Sequence, residues 1–164
     1  MTDWKQCMFA LPLGMASAFF SFKAEAKTSE GAQGPWGIEC RSTEADGKTC
    51  VLEQSLSHQG KWLATLRIAP EQAGARMQVQ LPTGIHLASG LFYSVDKGRD
   101  LALEFLRCDE DRCYAYRALS EQEFKSIQRG KTMTLRLRPE VQMPPVAMQV
   151  SLSGVTALSQ KALK

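Results

Sequence analysis

"LALEFLRCDEDRCYAYRAL", residues 101–119, is the stretch whose reading decides the fold. Leu101, Leu103 and Phe105 alternate with residues of the opposite face, and the run that starts at Cys113 alternates again, which is the signature of two β-strands with one buried side. Between them lies the acidic run Asp109, Glu110 and Asp111. If Glu110 and Asp111 form a two-residue loop, Asp109 faces Arg112 and Cys108 faces Cys113 directly across the ladder. Cross-strand neighbours sit about 4.5–5.5 Å apart at Cα, within the reach of a disulfide. The stretch therefore reads as a hairpin stapled at its tip. An exposed Asp109–Arg112 ion pair would add at most about 1 kcal/mol.

The same period extends outward in both directions. "WGIEC", "CVLEQSL", "KWLATLRI" and "RMQVQLP" place Trp36, Ile38 and Cys40, then Cys50, Leu52, Gln54 and Leu56, then Trp62, Ala64, Leu66 and Ile68, then Met77, Val79 and Leu81 in phase. "KTMTLRLRP" and "VAMQVSL" do so with Met133, Leu135 and Leu137, and with Val146, Met148, Val150 and Leu152. Turn residues separate the runs at Asp46-Gly47, Gln59-Gly60, Pro82-Thr83-Gly84, Lys97-Gly98 and Pro144-Pro145. About eight short antiparallel strands at this spacing predict an all-β sandwich or barrel. Two helical pieces interrupt it. "LSEQEFKSIQRG" offers Ser120 as N-cap, Glu123 as its capping-box partner, an apolar face of Phe124 and Ile127, and Gly130 as a stop. The tail "SGVTALSQKALK" predicts a further turn or two packing Val155, Leu158 and Leu163.

The N-terminus supplies an address. Lys5 precedes an apolar run from Cys7 to Phe22, and "AEA" at 24–26 puts small residues where a signal peptidase cuts, so residues 1–26 read as a secretory signal. Pro12, Gly14 and two serines break the run, which falls short of a bilayer span of about 20 residues, so the mature chain is not expected to be an integral membrane protein. Residues 27–35, poor in apolar side chains, read as a flexible leader, and 36–164 as one β-sandwich domain. Removing the signal also removes Cys7 and leaves Cys40, Cys50, Cys108 and Cys113. In an exported chain that even count favours two disulfides, periplasmic or at the cell surface. Local pairing is expected, Cys40 with Cys50 and Cys108 with Cys113; a strict turn at Asp46-Gly47 would set Cys40 against Glu53, so the first pair requires a bulge or a longer loop. Each short loop would stabilise by roughly 2–3 kcal/mol.

Other chemistries fit less well. Zinc asks for a matched second cysteine knuckle or nearby histidines, a thioredoxin-like pair for two intervening residues at a helix N-terminus, and calcium for about six or seven oxygen ligands. No cofactor or metal is expected. His58 and His86, the only histidines, stand in turns without a nucleophile pattern around them. The net charge of +3 lacks the basic field of a nucleic-acid binder. One basic feature stands out: Arg136 and Arg138 share a strand face with Thr132 and Thr134, with Arg129 and Lys131 just before. Such a stripe can meet anionic lipid or acidic glycan weakly, or can simply keep an edge soluble.

"PWGIEC" with a second cysteine ten residues on, "QVQLPTGIHLASG", "CDEDRCYAYRAL" and the closing "VSLSGVTAL" together resemble the invasion-associated locus B family of exported bacterial proteins, over residues 36–158. Arg112 and Val155 stand where that family usually carries glycine and an aromatic residue. The resemblance implies an immunoglobulin-like antiparallel β-sandwich, export in a Gram-negative bacterium and a loose association with host-cell invasion. It implies no enzyme activity and no binding residues. The expectation is an exported, disulfide-stapled, non-enzymatic interaction protein whose partner is an unknown protein or envelope component. The alternatives are a periplasmic small-molecule or lipid binding module and, after that, a hydrolase with a dispersed site.

Overall fold

The computed structural model describes residues 28–29, 32–33, 36–43 and 47–163. The expected signal at 1–26 lies outside them. Within the expected leader, two dipeptides are paired: β1 (Thr28–Ser29) runs parallel to the last strand, and β2 (Ala32–Gln33) antiparallel to β4. The remaining strands are β3 (Gly37–Thr43), β4 (Gly47–His58), β5 (Lys61–Glu71), β6 (Gly74–Pro82), β7 (Leu91–Val95), β8 (Leu101–Cys108), β9 (Arg112–Leu119), β10 (Thr132–Leu137) and β11 (Val146–Ser151). Helix α1 (Glu121–Arg129) separates β9 from β10, and α2 (Val155–Ala162) closes the chain.

All eight expected strands are present, and β3 to β11 pair antiparallel throughout. One strand was not legible in the sequence. β7, "LFYSV", lies between β10 and β8 in the path β1-β11-β10-β7-β8-β9-β6-β5-β4-β2, with β3 on the side of β4. The expected all-β architecture with two short helices is thus present, while the pairing does not by itself establish the immunoglobulin-like division into two separate sheets. β8 belongs to both halves: Leu101–Leu103 pair with β7, and Glu104–Cys108 pair with β9. Leu106 is the extra residue of a bulge within the β9 pairing, just past this change of partner, and a bulge bends and twists its strand. The result is one continuous path that curls as a half-barrel.

The inner face of the curl is the core. Leu52, Leu66, Ile68, Met77, Leu81, Leu91, Met133 and Leu135 are all fully buried there. Phe124 and Ile127 of α1 and Val155 of α2 join the same cluster. Trp36 is buried too, and its indole N–H donates to the Ser151 carbonyl at 2.7 Å, joining the start of β3 to the end of β11. Burial of a Leu or Ile side chain stabilises by roughly 1.5–3 kcal/mol, so this face supplies most of what orders the chain.

Helix α1 begins as its sequence dictates. The Glu123 amide donates to Ser120 Oγ at 3.3 Å and the Ser120 amide to Glu123 Oε2 at 2.9 Å, completing the capping box. Gly130 ends it as expected, through close packing and not through a left-handed backbone. Its φ is −70°, and a Cβ there would lie 2.3 Å from Val95 Cγ1, so close packing demands glycine. In α2, Val155 is buried and Leu158 packs against the core, but Leu163 is exposed, contrary to expectation.

Candidate functional site

Both disulfides are local. Cys108 and Cys113 are register partners with sulfurs 2.06 Å apart, and the Asp109 amide donates to the Arg112 carbonyl at 2.8 Å, which makes Glu110 and Asp111 the loop as the spacing required. Asp109 Oδ1 accepts from the amides of Arg112 (2.8 Å) and Asp111 (3.2 Å). These backbone donors, the Arg112 amide first, hold its carboxyl below the usual range. The aspartate is therefore a turn-forming acceptor. Cys40 and Cys50 are also partners, 2.03 Å apart at sulfur, with Thr43 paired to Gly47. That register leaves 44–46 as the connection, the longer loop that the spacing called for.

On the outer face of the curl, a second bulge changes the role of one aromatic side chain. β4 and β5 pair Leu56 with Ala64 but Ser57 with Trp62, so Leu63 is the extra residue. The sequence placed Trp62 in phase with Ala64, Leu66 and Ile68; the bulge turns it to the opposite side, and Leu63 packs against the core in its place. Trp62 Nε1 donates to Thr65 Oγ1 at 2.9 Å, and that hydroxyl lies 2.9 Å from Ser55 Oγ. The Arg112 guanidinium stacks over the Trp62 ring at 5.0 Å and donates to Gln80 Oε1 at 3.1 Å. One strand further, Arg107 stacks over Tyr114 at 4.1 Å. Tyr114 pairs with Gln80, and Tyr116 pairs with Gln78 and Glu104. Arg67 donates to Glu53 at 2.6 Å in the same layer.

This is an ordered platform of rings and guanidinium groups on five adjacent strands. Arg107 and Arg112 flank the Cys108–Cys113 staple, so the disulfide at the tip fixes the spacing of both. Among the described residues Arg112 has no carboxylate partner, and its remaining donors are available at the surface.

The four basic residues read from the sequence are not brought together as a stripe. Arg136 donates to Ser94 Oγ at 2.8 Å and pairs with Asp100. Arg138 lies past the end of β10 and donates to the carbonyls of Val141 (3.2 Å) and Met143 (3.0 Å). Arg129 sits in the last turn of α1, and Lys131 has its backbone amide on the Asp96 carboxylate at 3.1 Å. Arg136 and Arg138 line an open groove of about 240 Å³ with Ser89, Phe92, Asp100 and Pro145.

Beneath α1 lies a half-buried polar cluster that the sequence did not announce. Arg117 donates to Glu123 Oε1 at 2.5 Å and to the Ala102 carbonyl at 2.9 Å. Burial alone would raise the Glu123 pKa, but the bonds from Arg117 and Ser120 outweigh it and hold the carboxyl below its ordinary value. Tyr93 beside them is pushed up to about 12, first by burial and then by the Glu123 charge. His86 Nδ1 lies 2.7 Å from Ser89 Oγ, three residues on in the same turn, and no carboxylate bonds that ring among the described residues. No cluster of three or more His, Cys, Asp or Glu residues able to hold a metal occurs among the described residues. No helix among them is long and apolar enough to cross a membrane.

Comparison with known proteins places this architecture. The crystal structure of invasion associated protein B from Bartonella henselae superposes with a TM-score of 0.70 over 80% of this chain and 92% of that one, at 18% identity, a likeness of fold. The invasion protein B homologues of Brucella abortus strain 2308 and of B. abortus biovar 1 strain 9-941 are each 26% identical over 150 residues, covering 88% of this chain and 86% of theirs. Residues 36–162 match the family model described as "Invasion associated locus B (IalB) protein", and the chain belongs to that family.

Proposed function

We propose that this chain is an exported, non-catalytic interaction protein of the Gram-negative envelope, periplasmic or at the cell surface, which presents the outer face of β4, β5, β6, β9 and β8 to a protein partner. The ordered array of Trp62, Arg112, Tyr114 and Arg107 carries this reading. Tryptophan, tyrosine and arginine dominate the energetically important positions of protein interfaces, because they bury large area at little conformational cost. Here that cost is lower still, since stacking and hydrogen bonds hold the side chains in place before any partner arrives. The names of the Brucella and Bartonella relatives support an association with invasion.

Photo-crosslinking in the native bacterium tests it. A crosslinker at Gln78, at the centre of the face, should yield a discrete protein adduct that Trp62→Ala together with Arg112→Ala weakens. The same probe at Lys125, on α1, should not yield it. Equal labelling from both positions, or none from Gln78, would remove the face from the functional account. The second reading, a small-molecule or lipid binding module, has the groove beside Phe92, Arg136 and Arg138 in its favour.

A further inference from the structure

Strand β4 has two sides, and both are occupied. β5 takes one, while β3 and β2 share the other, so the far side of β3 is a sheet edge with no strand against it among the described residues. Trp36 ties the start of β3 to the end of β11, and the free part of the edge lies past it, where Glu39, Cys40, Arg41 and Ser42 are all exposed. The place of the disulfide in the ladder shows which backbone groups point outward. Directly opposed residues of an antiparallel pair sit about 5.5 Å apart at Cα when they exchange hydrogen bonds and about 4.5 Å when they do not. Cys40 and Cys50 are 4.0 Å apart, which makes them a non-bonded pair. Cys108 and Cys113 are also 4.0 Å apart, one step beyond the Asp109–Arg112 pair that carries the hairpin bond, and so obey the same rule. Cys40, and with it Ile38 and Ser42, therefore turns its N–H and C=O away from β4. Among the described residues no other backbone group bonds them.

The side chains of β3 say what fits this edge. Sheet edges are commonly guarded by charge, and Glu39 and Arg41 supply it here from one face of the strand, with side chains 56% and 79% exposed. Such charges deter most strands, but this pair is complementary to itself. When two β3 strands run antiparallel about a twofold axis at Cys40, Glu39 of each copy lies opposite Arg41 of the other. The Arg41–Glu39 ion pair within each chain, 2.8 Å long, then joins a ring of four alternating charges. The same register sets Ile38 of each copy opposite Ser42 of the other, so the outward N–H and C=O groups of Ile38, Cys40 and Ser42 meet their counterparts. Neither proline nor bulge interrupts Gly37–Thr43. We infer that the chain forms a symmetric dimer in which β3 pairs with β3 of a second copy. A twofold axis normal to the sheet keeps both outer faces on one side, so two Trp62–Arg112 platforms stand on one continuous surface.

Sedimentation velocity of the mature protein with its disulfides intact tests this inference. A single strand edge is a small interface, so a reversible dimer with a dissociation constant of about 0.1 mM is expected. Glu39→Arg alone, or Arg41→Glu alone, sets like charges opposite each other at two symmetric positions and should weaken the dimer at least about tenfold. Each should leave the thermal midpoint nearly unchanged, since both side chains are in water. Mixed in equal amounts, the two variants should associate again, because one chain carries two arginines at these positions and the other two glutamates. Trp62→Ala with Arg112→Ala should leave the dimer intact, which separates this test from that of the partner face. Four results would overturn the inference: a wild-type chain that stays monomeric at millimolar concentration, a dimer that neither charge reversal weakens, a mixture of the two variants that stays monomeric, or a dimer that the Trp62 and Arg112 substitutions dissolve.

Discussion

Replacing Glu123 by glutamine tests the half-buried cluster that joins α1 to the sheet. The native carboxylate accepts from Arg117 at 2.5 Å and from the Ser120 amide at 2.9 Å, with its side chain 17% exposed and that of Arg117 28%. Glutamine keeps the shape and the capping acceptor, so the loss is that of the charge beside Arg117. An exposed pair is worth up to about 1 kcal/mol, and removing one partner of a buried pair costs about 3–5 kcal/mol. This pair lies between those limits, and Arg117 retains the Ala102 carbonyl, so Glu123→Gln should cost about 2 kcal/mol. In urea that is a midpoint shift of roughly 1 M. The pH dependence fixes the cause. The folded-state pKa of Glu123 is depressed, so its contribution is fully present above the unfolded glutamate value of 4.5 and is lost as pH falls through the lower folded value. Urea titrations near neutrality and in acid should therefore show a gap between wild type and Glu123→Gln that closes in acid. A gap of the same size at both ends would show that packing, and not charge, sets the cost.

Three further outcomes are expected. Peptide mapping without reduction should recover Cys40 joined to Cys50 and Cys108 joined to Cys113, and replacing Cys108 and Cys113 together by serine should lower stability by about 2 kcal/mol without unfolding the domain. Gly74→Ala should cost several kcal/mol in chemical denaturation, on the order of the largest single-residue effects, because φ is +128° and the new Cβ would lie 2.2 Å from the Leu119 carbonyl oxygen. Native protein sequenced from its N-terminus should begin at Lys27 in the periplasmic or outer-envelope fraction; a retained Met1 in the cytosol would sink the export reading.

Alternation made eight strands legible because each has one wet and one dry face. β7 escaped because it has neither pattern: Leu91, Tyr93 and Ser94 are all buried, Phe92 is out, and Ser94 is covered by the Arg136 side chain. The curl was hidden for a related reason. It depends on β8 changing partners near a bulge at Leu106, and alternation cannot show where a strand changes its neighbour. The cysteine pairs were readable, since both are separated by a hairpin and nothing more. The outer platform was not, because Trp62 meets Arg112 from far along the chain and only after the bulge at Leu63 has turned it over. One signal was available: Tyr114 and Tyr116 stand out of phase with Cys113 and Ala115, as aromatic residues on the wet face of a strand.

Each disulfide closes a loop inside a single hairpin, at sequence separations of 10 and 5. Pairing is therefore consecutive along the chain. A polypeptide delivered from its N-terminus brings Cys50 beside Cys40 long before Cys108 arrives, and closing so short a loop takes well under a millisecond, on the order of 10–100 ns for ten residues. An oxidant that joins cysteines in order of appearance then makes the native pairs at the first attempt. If the chain is exported as proposed and Cys7 leaves with the signal, its maturation should depend on the supply of a disulfide-forming catalyst and not on an enzyme that shuffles bonds.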